Sequence, residues 1–263
     1  TLTETTKTDI INKLKPYNVA SVSPQIVDPE TTSVLLTSNV KYDTSATTKS
    51  SDTLKSEIIT AITNYNTNTL QKFDAVYRHS KLTGIIDNTD TSILSNITTV
   101  KIRKNFTPTI LSSSKYDIYF RNALFNPHSG HNSTAGGILS TTGFKIDGND
   151  NEMFLDDDGQ GNVRLYYLSS GIRTYVNNTQ GTINYGTGQL TLNSLKIASI
   201  SNIRGTTSTV VELTVTPDSN DIVPVRDQIV EIDVSNSSIT VGADTFVGGS
   251  ADAGVGYTTT SSY

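Results

Sequence analysis

The feature that most constrains this chain is a switch in its hydrophobic period. Over Ser33–Tyr42 the apolar residues Val34, Leu36, Val40 and Tyr42 alternate along one face, with Ser38 the polar exception. This is the period of a strand with one buried side. The spacing then changes: Leu54, Ile58, Ile62 and Tyr65 recur every third or fourth residue, and Ile59 and Ala61 widen the stripe, as in a helix lying on a sheet. Residues 52–73 are therefore predicted as the longest helix. Ser51 or Asp52 is its expected cap and Glu57 lies near its first turn. Phe73 is expected on the buried side. A shorter helical segment holds Leu82, Ile85 and Ile86. Alternation returns at Ile97–Lys104, with Val100 and Ile102 on one face and Lys101 and Arg103 on the other.

Upstream, Ile10, Ile11 and Leu14 share a helical face within residues 1–15, Thr8 is a possible cap, and Pro16 ends the segment. Val22–Val27 is apolar but contains Pro24, which marks an edge or a bent lead-in. Beyond residue 106 the helical period is gone. Tyr116, Ile118 and Phe120 alternate, as do Val163, Leu165 and Tyr167, then Ile172, Thr174 and Val176, then Leu190 and Leu192. Gly181–Leu192 reads as a hairpin around Tyr185-Gly186-Thr187-Gly188. Further strands are expected at Val210–Val215, Ile229–Val234 and Ile239–Val241. The expected class is α+β: a small sheet-plus-helix unit over 1–105, an all-β region over 106–195, and a β-rich C-terminal region with an extended tail over 196–263. No repeat of 20–50 residues points to a solenoid or propeller.

Composition supports a strand-rich, weakly charged protein. Charged residues are 17% of the 263, below the roughly 25% usual for soluble domains, and Thr, Ser and Asn together exceed a third. Thr suits half-buried pleated surfaces, whereas Ser, Asn and Gly suit the turns between them. The net charge of −5 and isoelectric point of about 5.2 argue against binding nucleic acid or an anionic membrane. No apolar run approaches the roughly 18 residues of a membrane span. With no Cys, disulfides and thiolate metal sites are excluded. Thr1 is not an initiator Met, and the opening reads as part of a longer chain.

Two motifs resemble metal sites, and both are incomplete. His128-Ser129-Gly130-His131 is the only close His pair, but a metal centre needs further ligands. Asp156, Asp158, Gln160 and Gly161 fall at offsets 1, 3, 5 and 6 of a calcium loop, but Tyr167 stands where the bidentate Glu belongs. A turn between strands is the favoured reading, so no metal and no cofactor is expected. No nucleophile elbow or phosphate-cradling loop is present. Asp218, Asp221, Asp227, Glu231 and Asp233 are spread through strands and turns and read as solvated faces and turn formers; pairing carboxylates needs geometry that sequence does not give. The chain reads as a non-enzyme. Tyr119 and Arg121 are outward-facing candidates for a partner contact.

One resemblance joins these pieces. Ile26-Val-Asp-Pro-Glu30, the strand ending Val40-Lys-Tyr-Asp43, and the long helix running into Leu70-Gln-Lys-Phe-Asp-Ala-Val-Tyr-Arg-His-Ser-Lys-Leu82 come first. Ile85-Ile-Asp-Asn-Thr-Asp90, Ser95-Asn-Ile-Thr-Thr-Val100 and Arg103 follow. This order resembles the J-like baseplate proteins of contractile-tailed phages, and most of all the C-terminal half of the T-even-type baseplate wedge subunits. The Gly181–Leu192 hairpin, Pro217 with Pro224–Asp233, and the Gly-Tyr-Thr-Thr-Thr-Ser-Ser tail are similar too. The resemblance implies a structural protein of the virion, in the tail baseplate and assembled in the host cytoplasm. It further implies pairing with itself and with other wedge proteins, in a ring around the tail tube that rearranges on sheath contraction. It supplies no catalytic residue. Low charge fits large permanent interfaces. After Gly248 the tail has no apolar periodicity, and Val255, Tyr257 and Tyr263 are its expected interface anchors. The alternative reading is a β-rich tail-fibre or adhesin module binding host glycans; a polysaccharide-degrading tail enzyme ranks last.

Overall fold

The structure, a computed structural model, describes residues 3–19, 23–26, 28–132, 136–225 and 228–244. It is mostly β with three α-helices, an α+β protein in the broad sense. The helices are α1 (Glu4–Leu14), α2 (Ser51–Tyr65) and α3 (His79–Asp87). The strands are β1 (Glu30–Tyr42), β2 (Ile93–Phe106), β3 (Ser113–Tyr119), β4 (Ser140–Thr141), β5 (Phe144–Ile146), β6 (Met153–Asp157), β7 (Asn162–Ser169), β8 (Ile172–Asn184), β9 (Gln189–Ile200), β10 (Val211–Val215), β11 (Gln228–Ile232) and β12 (Ser238–Ala243).

The first sheet is built on β1. The antiparallel β2 lies along one edge, with Val34 opposite Ile102 and Leu36 opposite Val100. The other edge is filled in two stretches by parallel strands from the end of the chain: β11 along Glu30–Val34 and β12 along Thr37–Tyr42. Between them Val234–Asn236 form a 3-10 turn. That turn breaks the ladder at Leu36, whose N–H instead donates to Ser237 Oγ at 3.0 Å. A side-chain hydroxyl thus satisfies a backbone donor that the sheet leaves over. Beyond β2 lie β10 and then β4.

Helices α2 and α3 cover one face of this sheet. Ser50 caps α2 by accepting from Thr53 N, and Asp52 sits in its first turn, where a negative charge is favoured. Leu54, Ile58, Ile62 and Tyr65 are buried as expected, and Val34, Leu36, Val40, Val100 and Ile102 belong to the same apolar core as Ile58 and Ile62. Ser38 is also buried, and its hydroxyl bonds Thr98 Oγ1 across the strands at 2.8 Å.

The regular helix stops sooner than its period suggested. At Asn66–Leu70 it widens into one π-turn. The buried Asn66 carboxamide donates to Ile232 O at 3.0 Å and accepts from Ile232 N at 2.8 Å, which lets a side chain stand in for a missing strand beside β11. With the helical spacing broken there, Phe73 does not join the core. It is exposed, and its backbone bridges Ile229 instead. Helix α1 differs in a similar way: Thr3 rather than Thr8 caps it, Ile10 and Ile11 are only half-buried, and Leu14 is exposed. Its buried residue is Lys7, paired with Asp28 at 2.7 Å and Glu4 at 2.8 Å. Pro16 falls inside a 3-10 turn, Lys15–Tyr17, that continues the helix. Of the lead-in 22–27, residues 23–26 and no strand are described.

The second sheet runs β3-β9-β5-β6-β7-β8, and a further β8–β9 pairing closes it. The circuit from β9 through β5, β6, β7 and β8 back to β9 is a small barrel. The β8–β9 hairpin has the expected register, with Ile183 opposite Leu190 and Asn184 opposite Gln189. Gly188 in its turn has φ +67, and a side chain there would meet Asn122 O at 2.3 Å, so both the conformation and the close approach demand Gly. The barrel interior is continuous with the core of the first sheet through residues such as Phe120, Phe144, Leu155, Leu190 and Leu213.

The alternation of Ile172, Thr174 and Val176 gives a strand, the start of β8, but their shared face is not buried. Ile172 and Val176 are exposed and Thr174 is only half-buried. This part of β8 pairs with β7 alone, as an arm reaching past the barrel. The opposite face is the one that is held, because it presents Arg173 and Tyr175 to the buried Asp156.

Candidate assembly surfaces

The two polar motifs of the sequence come together next to the barrel. Asp156, Asp157 and Asp158 end β6 and open the turn into β7, and each carboxylate is already engaged. Asp156 receives Arg164 Nε at 2.8 Å and Nη2 at 3.1 Å, Arg173 Nη1 at 2.7 Å and Tyr175 OH at 2.8 Å. The two guanidinium groups also stack on rings, Arg164 over Tyr175 at 4.4 Å and Arg173 over Tyr166 at 4.8 Å. Asp158 accepts from the backbone N–H groups of Gln160 and Asn162 and from Asn162 Nδ2, so it forms the turn. Four donors facing the Asp156 oxygens and three facing those of Asp158 leave a cation little to coordinate.

Asp157 is fully buried. Its Oδ1 accepts from Leu139 N at 2.9 Å and its Oδ2 from Tyr185 OH at 2.7 Å. Burial pushes the Asp157 carboxyl above its ordinary range, against those two bonds, and burial together with the bond to Asp157 pushes the Tyr185 phenol up. The raised value makes ionised Asp157 a cost to the fold above its native pKa, whereas below the unfolded-state value the group is neutral in both states and the cost vanishes. Asp157→Asn keeps an acceptor for Leu139 N and presents an NH2 to the Tyr185 oxygen. It is expected to raise stability at pH 7 by about 1 kcal/mol and to lose that advantage on acidification through the native pKa. Urea titrations at both pH values check this; equal stability of the two proteins at neutral pH contradicts it.

His128 and His131 lie on an exposed loop with Nε2 and Nδ1 3.2 Å apart. The His131 ring meets Phe125 edge-on. Among the described residues no group of three or more His, Asp and Glu could hold a metal ion. The remaining acidic residues do not converge. Asp221 receives Arg78 Nη1 at 2.7 Å and His79 N at 2.9 Å, and these bonds hold its carboxyl below the ordinary range. Asp233 pairs with Arg103 and with Asn236 Nδ2. Glu231 meets Gln71 at 3.4 Å. Asp227 lies outside the described residues. Arg103 was expected to face outward from β2. It does point away from the helices, but it is buried by Asp233 and by Glu212, which Arg204 also grips at 2.8 Å.

Several large apolar side chains are also exposed. On the β7–β8 arm, Ile172 (73% exposed) and Val176 stand in solvent on one face and Leu168 on the other. A second patch gathers around the sequence candidates Tyr119 and Arg121. Arg121 lies over the Tyr119 ring at 5.5 Å and reaches Glu30 at 3.6 Å. Beside them Asn122 Oδ1 accepts from Val223 N, and both Val223 and Val225 are exposed. Leu94 and Ile97 are exposed near the start of β2. Exposed patches of this kind mark contact surfaces. Sequence reasoning found Tyr119 and Arg121 but missed the Val residues, for which Val223-Pro224-Val225, an apolar pair fixed by Pro, was the available signal. The expected anchors Val255, Tyr257 and Tyr263 lie outside the described residues.

The strand–helix–helix–strand unit from β1 to β2 is the part of the chain with a recognisable relative. Residues 32–105 match the family model of baseplate structural protein gp6, C-terminal domain III, so this part of the chain is similar to a baseplate wedge subunit domain. Over 119 residues, 44% of the chain, the sequence is 29% identical to the baseplate wedge protein gp6 of Enterobacteria phage T4. The matched stretch spans 18% of that phage protein's length.

Proposed function

We propose that the protein is a structural subunit of a contractile phage tail baseplate, which joins wedges into a ring around the tail tube that rearranges on sheath contraction. It resides in the virion, in the tail baseplate, after assembly in the host cytoplasm. Its partners are a second copy, through homodimer contacts within the ring, and other baseplate wedge proteins. It performs no catalysis and uses no cofactor. The observation that carries this reading is the family match over residues 32–105, whose limits coincide with the folded unit from β1 to β2. The exposed apolar patches support it, because ring subunits hold one another through surfaces that are depleted in charge. Docking falls to the α+β unit within residues 1–105, and the tail anchors Val255, Tyr257 and Tyr263 contribute to self-association.

Deleting residues 249–263 tests the last point. Analytical ultracentrifugation of the full chain and the truncation, alone and mixed with the other wedge proteins, is expected to show weaker association for the truncation in at least one setting. Unchanged assembly in both moves the contact onto the strands between Val210 and Val241. A full chain that joins neither itself nor any wedge protein overturns the reading.

A further inference from the structure

The turn that imitates a calcium loop has a different use. Between the β6–β7 turn, the loop before residue 130 and the β8–β9 hairpin lies an open cleft of about 610 Å3. Its twelve lining residues include Asn126, Gln160, Thr182, Asn184, Tyr185 and Gln189, and none of the twelve carries a formal charge. In contrast, the groove beside the Arg103–Asp233 pair is lined by Lys55, Arg204, Glu212 and Glu231 as well.

The neutral groups are fixed but not used up. Asn126 Nδ2 donates to Gly159 O at 3.1 Å, which fixes the carboxamide against the turn. Asp158 holds the turn by accepting from Gln160 N at 2.8 Å, while the Gln160 side chain accepts from Ser129 Oγ at 2.5 Å, and its Nε2 has no hydrogen-bond partner among the described residues. Asn184 Oδ1 accepts from Thr187 N at 3.1 Å, and its NH2 likewise has no partner among the described residues. The Gln189 carboxamide is half-buried and makes no side-chain hydrogen bond among the described residues. The Tyr185 ring is held by its hydroxyl on Asp157 and cannot swing away.

We infer that this cleft binds a neutral hexose unit of a glycan. A sugar hydroxyl both donates and accepts, and planar carboxamides match it because each offers both functions in one plane. The carboxamides of Gln160, Asn184 and Gln189 line the cleft and can each meet a sugar hydroxyl as donor or acceptor. Tyr185, half-buried against the core and anchored by its hydroxyl, adds apolar lining for the C–H groups of a pyranose. With no cation in the lining, phosphorylated and acidic sugars have no partner, so the neutral class is selected. The inference stands on the cleft alone and does not depend on the baseplate reading.

Saturation-transfer NMR with D-glucose, D-galactose and N-acetyl-D-glucosamine at millimolar concentration tests it on the full chain. At least one sugar is expected to receive saturation. Gln160→Ala and Gln189→Ala are expected to weaken its binding about tenfold each with melting temperatures matching the parent. Thr182→Val serves as a second lining variant if a glutamine variant loses stability. No saturation of any of the three sugars, or binding that all the lining variants leave unchanged, overturns the assignment. So does protection of the cleft from hydrogen exchange by another wedge protein when the sugars leave it unprotected, because the cleft is then a protein contact.

Discussion

Ile58→Asp is expected to abolish the cooperative unfolding transition of the β1–β2 unit. Ile58 has no exposed surface, sits mid-helix between Leu54 and Ile62, and belongs to the same apolar core as the sheet residues Val34 and Val100. Truncating such a residue to Ala costs about 2–5 kcal/mol. An Asp adds the cost of a carboxylate with no partner in an apolar layer, and the sum approaches the whole 5–15 kcal/mol that holds a typical domain together. Because β11 and β12 also pair with β1, the loss should spread to the end of the chain. Thr60→Asp, on the exposed face of the same helix, is the control and should shift the melting temperature by only a degree or two, since surface changes stay within about 0.5 kcal/mol. Circular dichroism melts of the two variants decide it. An Ile58→Asp protein that melts like the parent would mean that α2 turns another face to the sheet.

The legible parts of this fold are those where one local cause acts. The stripe Leu54–Tyr65 and the strand Val34–Tyr42 were readable because burial of a single face sets their spacing. The Gly181–Leu192 hairpin was readable because its turn requires Gly at 188. The unreadable parts depend on something distant. Nothing near Phe73 announces that Asn66 will leave the helical pattern to bond Ile232, 166 residues away in the chain. The alternation Ile172–Val176 gives a strand but not its orientation, and the Asp156 charges decide which side is held. That Asp156, Arg164, Arg173 and Tyr175 would share a cluster was invisible, since Arg and Tyr on strands usually face water. The cleft was half legible. Both of its framing motifs stood out, but as incomplete metal sites, because the residues that give it chemical character are the commonplace Asn, Gln and Thr of the whole chain.

Asp156→Ala carries the second large effect, and it bears on assembly as well as stability. Asp156 is 1% exposed and accepts from three side chains. Removing it leaves two cations facing one another around an empty acceptor, and breaking a buried pair in this way costs about 3–5 kcal/mol. Arg173 is partly exposed and can turn to water, whereas Arg164 is more deeply held and keeps a bond to Asp157 O at 3.0 Å. The expected loss is therefore at the lower end, about 3 kcal/mol, or a fall of about 6–12 °C in melting temperature for a chain of this size. Adding Arg173→Ala to Asp156→Ala should cost less than the sum of the single changes, because the second removes a charge that the first has stranded. The same cluster ties the outer part of β8 to the barrel, and that arm carries Leu168, Ile172 and Val176. Hydrogen exchange at residues 172–177 should then accelerate more than elsewhere in the barrel, since the arm has β7 as its sole strand partner. A loss under 1 kcal/mol with unchanged exchange would mean that strand pairing with β7, not the charge cluster, holds the arm in place.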